Sequence, residues 1–198
     1  TTLKIGTSSP RRIVNLTRSL KSVLPAQLKE MNIELVPLRG NVNTRIGKVH
    51  SQELDGVVLA LAGVERLSLM PSSLAEIRPL IENLQFMVLP VTVFTPAAAQ
   101  GALAIECLQN RNDKDELLNK IKSIHHQETA DEISRERIAF REYGGGCHLA
   151  VGIYVRKVNE VFLHIHRGKL QGNDVLISKS EALSTGGIPA NNKNKSKF

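Results

Sequence analysis

The feature that most constrains the fold of this chain is a pattern of strand, turn and helix that recurs in the first 67 residues. Three short apolar runs are predicted strands: Leu3–Ile5, Ile33–Leu38 and Gly56–Leu61. The first two are each followed by a turn and a predicted helix. The third run, GVVLAL, is continuously apolar, which is typical of a strand covered on both faces. Strands that alternate with helices in this way predict a mostly parallel α/β sheet.

The segments between these strands carry start signals for helices. Pro10 suits the first helical position, with Ser8 or Ser9 as the N-cap. A second helix is predicted from about Val42 to His50. Both helices therefore begin soon after a predicted strand ends.

The pattern changes after residue 84, where a domain crossing is expected. QFMVLPV, residues 85–91, predicts a further strand, and the chain is expected to enter a different structural unit after Pro96. Two charged helices are predicted at Asp113–Ile124 and Glu128–Glu142. The second has Ile133 and Ile138–Phe140 on its predicted inward face.

Three strand-like runs complete a second unit of α+β type: Val151–Arg156, Val161–His166 and Val175–Ser180. The turns between them, near Asn159 and Gly172, are short enough for antiparallel hairpins. The tail NNKNKSKF is polar and is expected to be disordered.

The positive charge of the chain is confined to its first quarter. The net charge is +7, and residues 1–50 hold nine Lys or Arg against two acidic residues, so the remainder is neutral. Such asymmetry indicates an anionic partner: nucleic acid, phosphate or a polycarboxylate. Aromatic residues make up 4% and Trp is absent, which argues against base stacking and leaves nucleic acid the weakest of these alternatives.

Other classes are also disfavoured. No apolar stretch approaches the roughly 20 residues of a membrane span, and the first residues lack the apolar core of a signal peptide. Two cysteines cannot form a disulfide framework, so a reducing, cytoplasmic location is expected. The adjacent His125 and His126 would point in different directions on a helix, and no metal site is predicted.

Two basic motifs follow the first two strands. GTSSPRR (Gly6–Arg12) and LRGNVNTR (Leu38–Arg45) both lie where a strand passes into a helix, the edge at which open α/β sheets bind ligands. Free N–H groups at helix starts and planar guanidinium groups both suit carboxylates or phosphates. Solvated arginines at loop ends remain the alternative. Asp55 precedes the third strand at the opposite edge, so a structural role is predicted for it.

Cys147 follows three glycines in YGGGCHLA, whereas Cys107 lies in the apolar run ALAIEC. Because glycines remove side chains from the approach to Cys147, its thiol is predicted to be accessible. An incidental cysteine in a loop is the alternative. A Cys107–Cys147 disulfide is possible but nothing in the sequence indicates it.

Five motifs, in this order and spacing, resemble the porphobilinogen deaminase family, also called hydroxymethylbilane synthase: GTSSPRR, LRGNVNTR, DGVVLALAGVERL, PAAAQGALAIEC and GGGCHLAVG. The resemblance extends from about Lys4 to about Ser180. It implies a mostly parallel, periplasmic-binding-protein-like sheet domain followed by a small α+β domain with a three-stranded antiparallel sheet. Residues 1–95 correspond to the family's second domain, 96–118 to a crossing segment of its first, and 119–198 to its third.

The resemblance also implies a reaction and a site. Family members join four porphobilinogen units into hydroxymethylbilane and release ammonia, starting from a dipyrromethane cofactor held by a thioether. Cys147 matches the attachment cysteine. The expected cofactor contacts are Ser9, Arg11, Arg12, Arg39, Arg45, Ala60 and Gly63. The expected substrate contacts are Arg66 and Gln100.

The chain departs from the family pattern in three respects. It is expected to begin inside the second domain, so the catalytic aspartate lies outside it and no catalytic residue is assigned. The final helix of the third domain is expected to be missing. Intact members are usually monomeric, whereas the apolar ALAI run before Cys107 makes self-association of this chain conceivable. A polycarboxylate-binding module without catalytic activity remains the alternative function.

Overall fold

The structure is a computed structural model that describes residues 2–108, 110 and 112–182. Its first sheet contains three parallel strands in the order β2-β1-β3: β1 (Thr2–Gly6), β2 (Asn32–Val36) and β3 (Gly56–Val57). β1 pairs with β2 along its whole length, from Thr2 opposite Asn32 to Gly6 opposite Val36. This arrangement confirms the predicted parallel sheet, with β1 in the centre.

Five helices accompany this sheet: α1 (Pro10–Val23), α2 (Ala26–Lys29), α3 (Val42–His50), α4 (Leu61–Leu69) and α5 (Pro71–Ile81). The predicted starts are confirmed, because the Ser9 side chain accepts a hydrogen bond from Arg12 N and Asn41 does the same for Thr44 N. Leu16, Ile46 and Ile77 are the buried apolar anchors of α1, α3 and α5. We call residues 2–81 the N-terminal unit.

The third predicted strand is shorter than expected. β3 contains two paired residues, opposite Ile5 and Gly6, and α4 already begins at Leu61. β1 is the only strand beside β3 among the described residues, and it ends at Gly6 where the chain turns into α1. Val58 N still donates to the Gly6 carbonyl at 3.2 Å. The residues after Val58 have no neighbouring strand among the described residues with which to form backbone hydrogen bonds.

The predicted strand at 85–91 is wrong. Residues 84–90 form no helix or strand, and Phe86 and Val88 are 64% and 73% exposed. A strand needs a neighbour to pair with, and none of the described strands lies beside this segment. Residues 82–108, which we call the connecting segment, contain no regular secondary structure.

The helices and strands of the second half agree with expectation. α6 (Lys114–Ser123) and α7 (Gln127–Glu142) precede a fully antiparallel sheet, β4 (Val151–Val158), β5 (Val161–Leu170) and β6 (Asn173–Ala182), in the order β4-β5-β6. Positive φ at Asn159, Gln171 and Gly172 makes the two tight turns. We call residues 127–182 the C-terminal unit. The tail NNKNKSKF lies outside the described residues.

The C-terminal unit contains a contiguous core, which α7 and the inner face of the sheet form together. Ile153, Val155 and Phe162 are at most 1% exposed. The predicted inward face of α7 is wrong in one respect, because Ile138 is 43% exposed while Glu136 is buried. Glu136 takes the inward position because its carboxylate accepts two backbone hydrogen bonds, from Ala99 N at 2.6 Å and Val155 N at 2.9 Å.

The connecting segment joins the two units at the start of β4. Ile153 N donates to the Pro96 carbonyl at 2.9 Å. A Cβ atom on Gly152 would lie 2.2 Å from the Thr95 carbonyl oxygen, so only glycine allows this approach. The whole is a mixed α/β structure with one parallel and one antiparallel three-stranded sheet. No helix within the described ranges has the length and hydropathy to span a membrane.

Candidate functional site

Arg11 and Arg12 lie at the start of α1, directly after the turn that ends β1. Arg11 is 8% exposed. Its guanidinium donates to the Thr95 carbonyl at 2.7 Å and to Gln100 Oε1 at 3.3 Å. Burial, and then the nearby Arg12 charge, lower the pKa of Arg11 to about 10. The first turn of α1 is thus tied to the connecting segment through a desolvated cation.

Arg12 faces the end of β3. Its Nη1 donates to the Val58 carbonyl at 2.8 Å, and burial followed by the charge of Arg45 lowers its pKa. Arg45 itself donates from Nε to the Gly40 carbonyl at 2.7 Å. The two basic motifs are held side by side by Ser8, whose Oγ accepts from Leu38 N at 2.7 Å and donates to the Leu38 carbonyl at 2.9 Å.

Charge repulsion links these guanidinium groups, from Arg12 to Arg11 and from Arg45 to Arg12. Among the residues that the structure describes, no carboxylate forms an ion pair with Arg11, Arg12 or Arg45. Buried or half-buried cations are normally paired, because removing a charge from water is unfavourable. The positive helix N-terminus adds to the same potential. The arrangement is therefore complementary to an external anion.

A cleft of about 890 Å³ opens beside these groups, between α1, the end of β3 and the connecting segment. Arg11, Arg12, Ala60 and Gln100, four of the residues that the resemblance implies for the site, line it. Of the predicted site residues, all of which the structure describes, six are outside its lining: Ser9, Gly63, Arg39, Arg45, Arg66 and Cys147.

Three of these six have other surroundings. Gly63 faces α3, with Val42 Cγ2 lying 3.8 Å from the position that a Cβ would take. Arg39 and Arg66 are exposed. Arg39 follows β2 and Arg66 lies within α4, and no described hydrogen bond joins either of them to Arg11, Arg12 or Arg45.

Sequence reasoning missed two buried polar residues that line the cleft. Asn15 lies one turn after Arg11 on the same face of α1, is 2% exposed, and its Nδ2 has no hydrogen-bond partner among the described residues. Glu136 is buried on α7, and desolvation raises its pKa although two backbone hydrogen bonds oppose this. The spacing from Arg11 to Asn15 was a usable signal, whereas nothing local distinguishes Glu136 from the other charges of α7.

Cys147 is exposed, as the glycine loop predicted. Gly144, Gly145 and Gly146 all have positive φ, a conformation that other residues rarely adopt. The loop is fixed at its two ends, where Gly145 N donates to the Phe140 carbonyl at 2.9 Å and Leu149 is buried in the core. The thiol is therefore presented to solvent by a short bridge between α7 and β4.

A buried histidine supports the start of this loop. The Tyr143 hydroxyl lies 2.8 Å from His166 Nδ1, and the two rings meet edge to face. Desolvation first, and then the charges of His164, Lys179 and Arg167, lower the pKa of His166 to about 4. His164 has a lowered pKa for the same first reason, although Glu181 opposes it.

His126 and Asp55, which the sequence analysis also considers, have structural roles. His126 is the N-cap of α7, where its ring accepts from Thr129 N. Asp55 accepts from Lys4 N at 2.8 Å, which ties the start of β1 to the residue before β3 and agrees with a structural role.

These features define a class of protein, an α/β protein with two adjacent arginines at the edge of a cleft and a cysteine presented on a glycine loop. A family model described as porphobilinogen deaminase, dipyromethane cofactor binding domain, matches residues 1–116. The chain belongs to the porphobilinogen deaminase family.

Curated relatives extend this match beyond residue 116. A porphobilinogen deaminase of Listeria monocytogenes is 31% identical over 191 residues, which cover 96% of this chain and 54% of that protein. One of Desulforamulus reducens is 34% identical over 179 residues, or 90% and 50%. One of Alkaliphilus metalliredigens is 37% identical over 147 residues, or 73% and 41%. The chain thus spans about half the length of the curated relatives it matches.

Proposed function

We propose that this chain is the part of a hydroxymethylbilane synthase that carries the dipyrromethane cofactor and binds the carboxylates of the growing pyrrole chain. The whole enzyme joins four porphobilinogen units, releases ammonia at each addition, and supplies tetrapyrrole biosynthesis. Porphobilinogen is the proposed substrate and the cytoplasm the proposed location.

The observation that carries this proposal is the cluster of uncompensated guanidinium groups at Arg11, Arg12 and Arg45. Each pyrrole unit of the proposed substrate carries acetate and propionate side chains, so the anionic charge of the product grows with every addition. Arginine binds carboxylates in a planar, bidentate manner. A site that holds such a chain needs several cations that are free to bind it, and no carboxylate among the described residues forms an ion pair with Arg11, Arg12 or Arg45.

The residues present fit a covalently attached dipyrromethane. Cys147 is exposed, and a Cβ placed on Gly144 would have no atom within 4 Å, which leaves open space at the start of its loop. When bound, the cofactor supplies the primer to which pyrrole units are added. Cys147 would hold it through sulfur, while Arg11, Arg12 and Arg45 would bind its carboxylates, with Ser9, Arg39, Ala60 and Gly63 in supporting positions.

Substrate binding is proposed for Arg66 and Gln100. Gln100 is favoured by its place in the cleft lining, where it accepts a hydrogen bond from Arg11. Arg66 is exposed in the last turn of α4, where it could reach a ligand that extends beyond the cleft. Asn15 Nδ2 is an additional donor that the same carboxylates could use.

The domain boundaries remain part of the proposal. Residues 1–95 would be a periplasmic-binding-protein-like second domain, 96–118 a crossing segment, and 119–198 the third domain. The close approach of the Thr95 carbonyl to Gly152 supports a junction at this point. The exposed Leu103 and Ile105 of the crossing segment support self-association of the isolated chain.

The test is the intact mass of the chain after incubation with porphobilinogen. We expect the wild-type chain to gain the mass of a dipyrromethane, Cys147→Ser to gain nothing, and Cys107→Ser to behave as wild type. An adduct that persists in Cys147→Ser, or its absence from all three chains, would overturn the proposed attachment. Binding of porphobilinogen without any adduct would favour the polycarboxylate-binding module instead.

A further inference from the structure

One face of α1 is polar and turned toward the C-terminal unit. Arg11, Asn15 and Arg18 follow at spacings of four and three residues, so they lie on the same side of the helix. The Arg18 side chain is 26% exposed. This polar face contrasts with the neighbouring apolar stripe at Leu16 and Leu20, which is buried in the N-terminal unit.

Arg18 reaches across to the second sheet. Its Nη2 donates to the Gly168 carbonyl of β5 at 3.4 Å and forms an ion pair with the Asp174 carboxylate of β6. The two acceptors flank the tight β5–β6 turn, at which Gln171 and Gly172 adopt positive φ. The Arg18 guanidinium thus contacts both strands of a hairpin whose two contacting residues are 150 and 156 positions away in the sequence.

The held hairpin is in direct contact with the end of the cysteine loop. Gly168 pairs with Val151, and Lys169 N donates to the Ala150 carbonyl at 3.1 Å. A Cβ on Gly168 would lie 2.0 Å from that same carbonyl oxygen. Ala150 is three residues after Cys147, so the position of the hairpin sets where the loop emerges.

α1 therefore contacts the C-terminal unit directly through Arg18 and indirectly, through Thr95 of the connecting segment, at Arg11. At its first turn Arg11 binds the Thr95 carbonyl, which packs on Gly152 of β4. Two turns later Arg18 binds β5 and β6. The arginines that line the cleft and the arginine that contacts the C-terminal unit therefore lie on one helix. Because an α-helix is rigid along its axis, a movement at one of these residues also moves the others.

We propose that Arg18 is a positioning residue. Through Gly168 and Asp174 it holds the antiparallel sheet of the C-terminal unit against α1. It thereby fixes the distance from Cys147, in the loop that precedes this sheet, to Arg11 and Arg12. The functional meaning of this inference rests on the proposed function, since a cofactor bound by Cys147 and by the arginines must span the distance between them. The contact itself is a property of the chain without any ligand.

The test measures a distance and requires no activity. Nitroxide labels are placed on Cys147 and on Thr17→Cys, an exposed position of α1, in a Cys107→Ser background, and pulsed electron paramagnetic resonance gives the distance distribution. We expect one main population in the otherwise wild-type chain. In Asp174→Asn and in Arg18→Gln that population should fall by roughly two- to fivefold, and high salt should have a similar effect on the wild type.

The two substitutions should act as one. Because both remove the same contact, the double variant should resemble each single variant instead of showing the sum of their effects. Glu116→Gln is the matched control, since it makes the same acid-to-amide change in the exposed Lys120–Glu116 pair of α6 and should leave the distribution unchanged. A pair that contributes only stability would shift the unfolding midpoint without moving the distance.

Distributions that stay the same in Asp174→Asn and Arg18→Gln, or effects that add in the double variant, would overturn the positioning role. The mass experiment separates this outcome from a failure of the proposed function. If the distances respond but Cys147 takes no adduct, the function is wrong and the docking contact stands. If the adduct forms but the distances do not respond, the docking contact is wrong and the function stands.

Discussion

The two units of this chain differ in how completely their sheets are paired and in what borders them. The C-terminal unit closes eight residue pairs between β4 and β5 and ten between β5 and β6, over a contiguous core. The N-terminal unit has a two-residue β3 beside an open cleft, and seven large apolar side chains of the connecting segment are exposed. The C-terminal unit is closed over its core, whereas the N-terminal unit borders a cleft that Arg11 and Arg12 line.

This difference indicates where stability and where binding reside. A closed antiparallel sheet with a helix on one face satisfies its backbone internally. On the open side of the N-terminal unit, Arg11 and Arg12 form no ion pair with a carboxylate among the described residues, which is unfavourable for folding but suits an anion-binding surface. Substitutions should therefore affect stability most in the C-terminal unit and binding most in the N-terminal unit.

The largest expected effect is that of Phe162→Ala. Phe162 is 1% exposed at the centre of the C-terminal core, so its truncation should lower the free energy of unfolding by about 3–5 kcal/mol, measured by urea denaturation. Phe86→Ala is the matched control, because Phe86 is 64% exposed, and its effect should be within about 0.5 kcal/mol. Equal losses in the two variants would contradict the comparison.

Gly152→Ala should have the next largest effect. Its new methyl group would overlap the Thr95 carbonyl at 2.2 Å, so either β4 or the connecting segment must move, with a loss of about 1–3 kcal/mol. Gly47→Ala is the control in α3, where no atom lies within 4 Å, and it should stabilise the chain by up to about 1 kcal/mol. Loss of stability in both variants would point to a general intolerance of alanine instead.

Acidification should weaken the C-terminal unit through His166. Because its pKa in the folded chain is about 4, below the ordinary 6.5, the unfolded chain binds the proton more tightly. Its contribution is present above pH 6.5 and is lost as the pH falls toward 4, by roughly 1–2 kcal/mol after allowance for solvent screening. Unfolding of the wild type and of His166→Leu across this range should show a shallower slope in the variant, and parallel slopes would exclude His166 as the cause.

The smallest expected effect is a gain of stability. Asn15 is buried with its Nδ2 unpartnered among the described residues, so Asn15→Leu should raise the free energy of unfolding by up to about 1 kcal/mol. The thermal midpoint measures this directly. A loss of stability would show that the Asn15 side chain stabilises the fold through a partner and is not available to bind a ligand.

The extent to which the sequence predicts this structure follows the same division. The hairpins of the C-terminal unit and the helix starts at Pro10 and Val42 depend on local pattern, and all are confirmed. The runs at 56–61 and 85–91 have the right composition for strands but lack neighbours, and pairing is a tertiary property that local pattern does not contain. Both runs are apolar, as a strand requires, but only residues 56–57 form one.

The candidate site divides in a similar way. Residue type and position after a strand were sufficient to group Arg11 and Arg12, and the glycines were sufficient to predict an exposed Cys147. Glu136 and Arg18 were missed because their roles depend on partners at Ala99 and Asp174, far away in sequence. Long-range contacts of single charged side chains leave no periodic signal.

The most direct test of the central claim, that unpaired guanidinium groups form a site for a polycarboxylate, is calorimetric titration of the chain with porphobilinogen at several salt concentrations. We expect binding that weakens with salt and falls by roughly tenfold or more in Arg12→Gln, with Arg78→Gln, an exposed charge-matched control on α5, unchanged. Equal affinity in wild type and Arg12→Gln, or binding that ignores salt, would contradict the account.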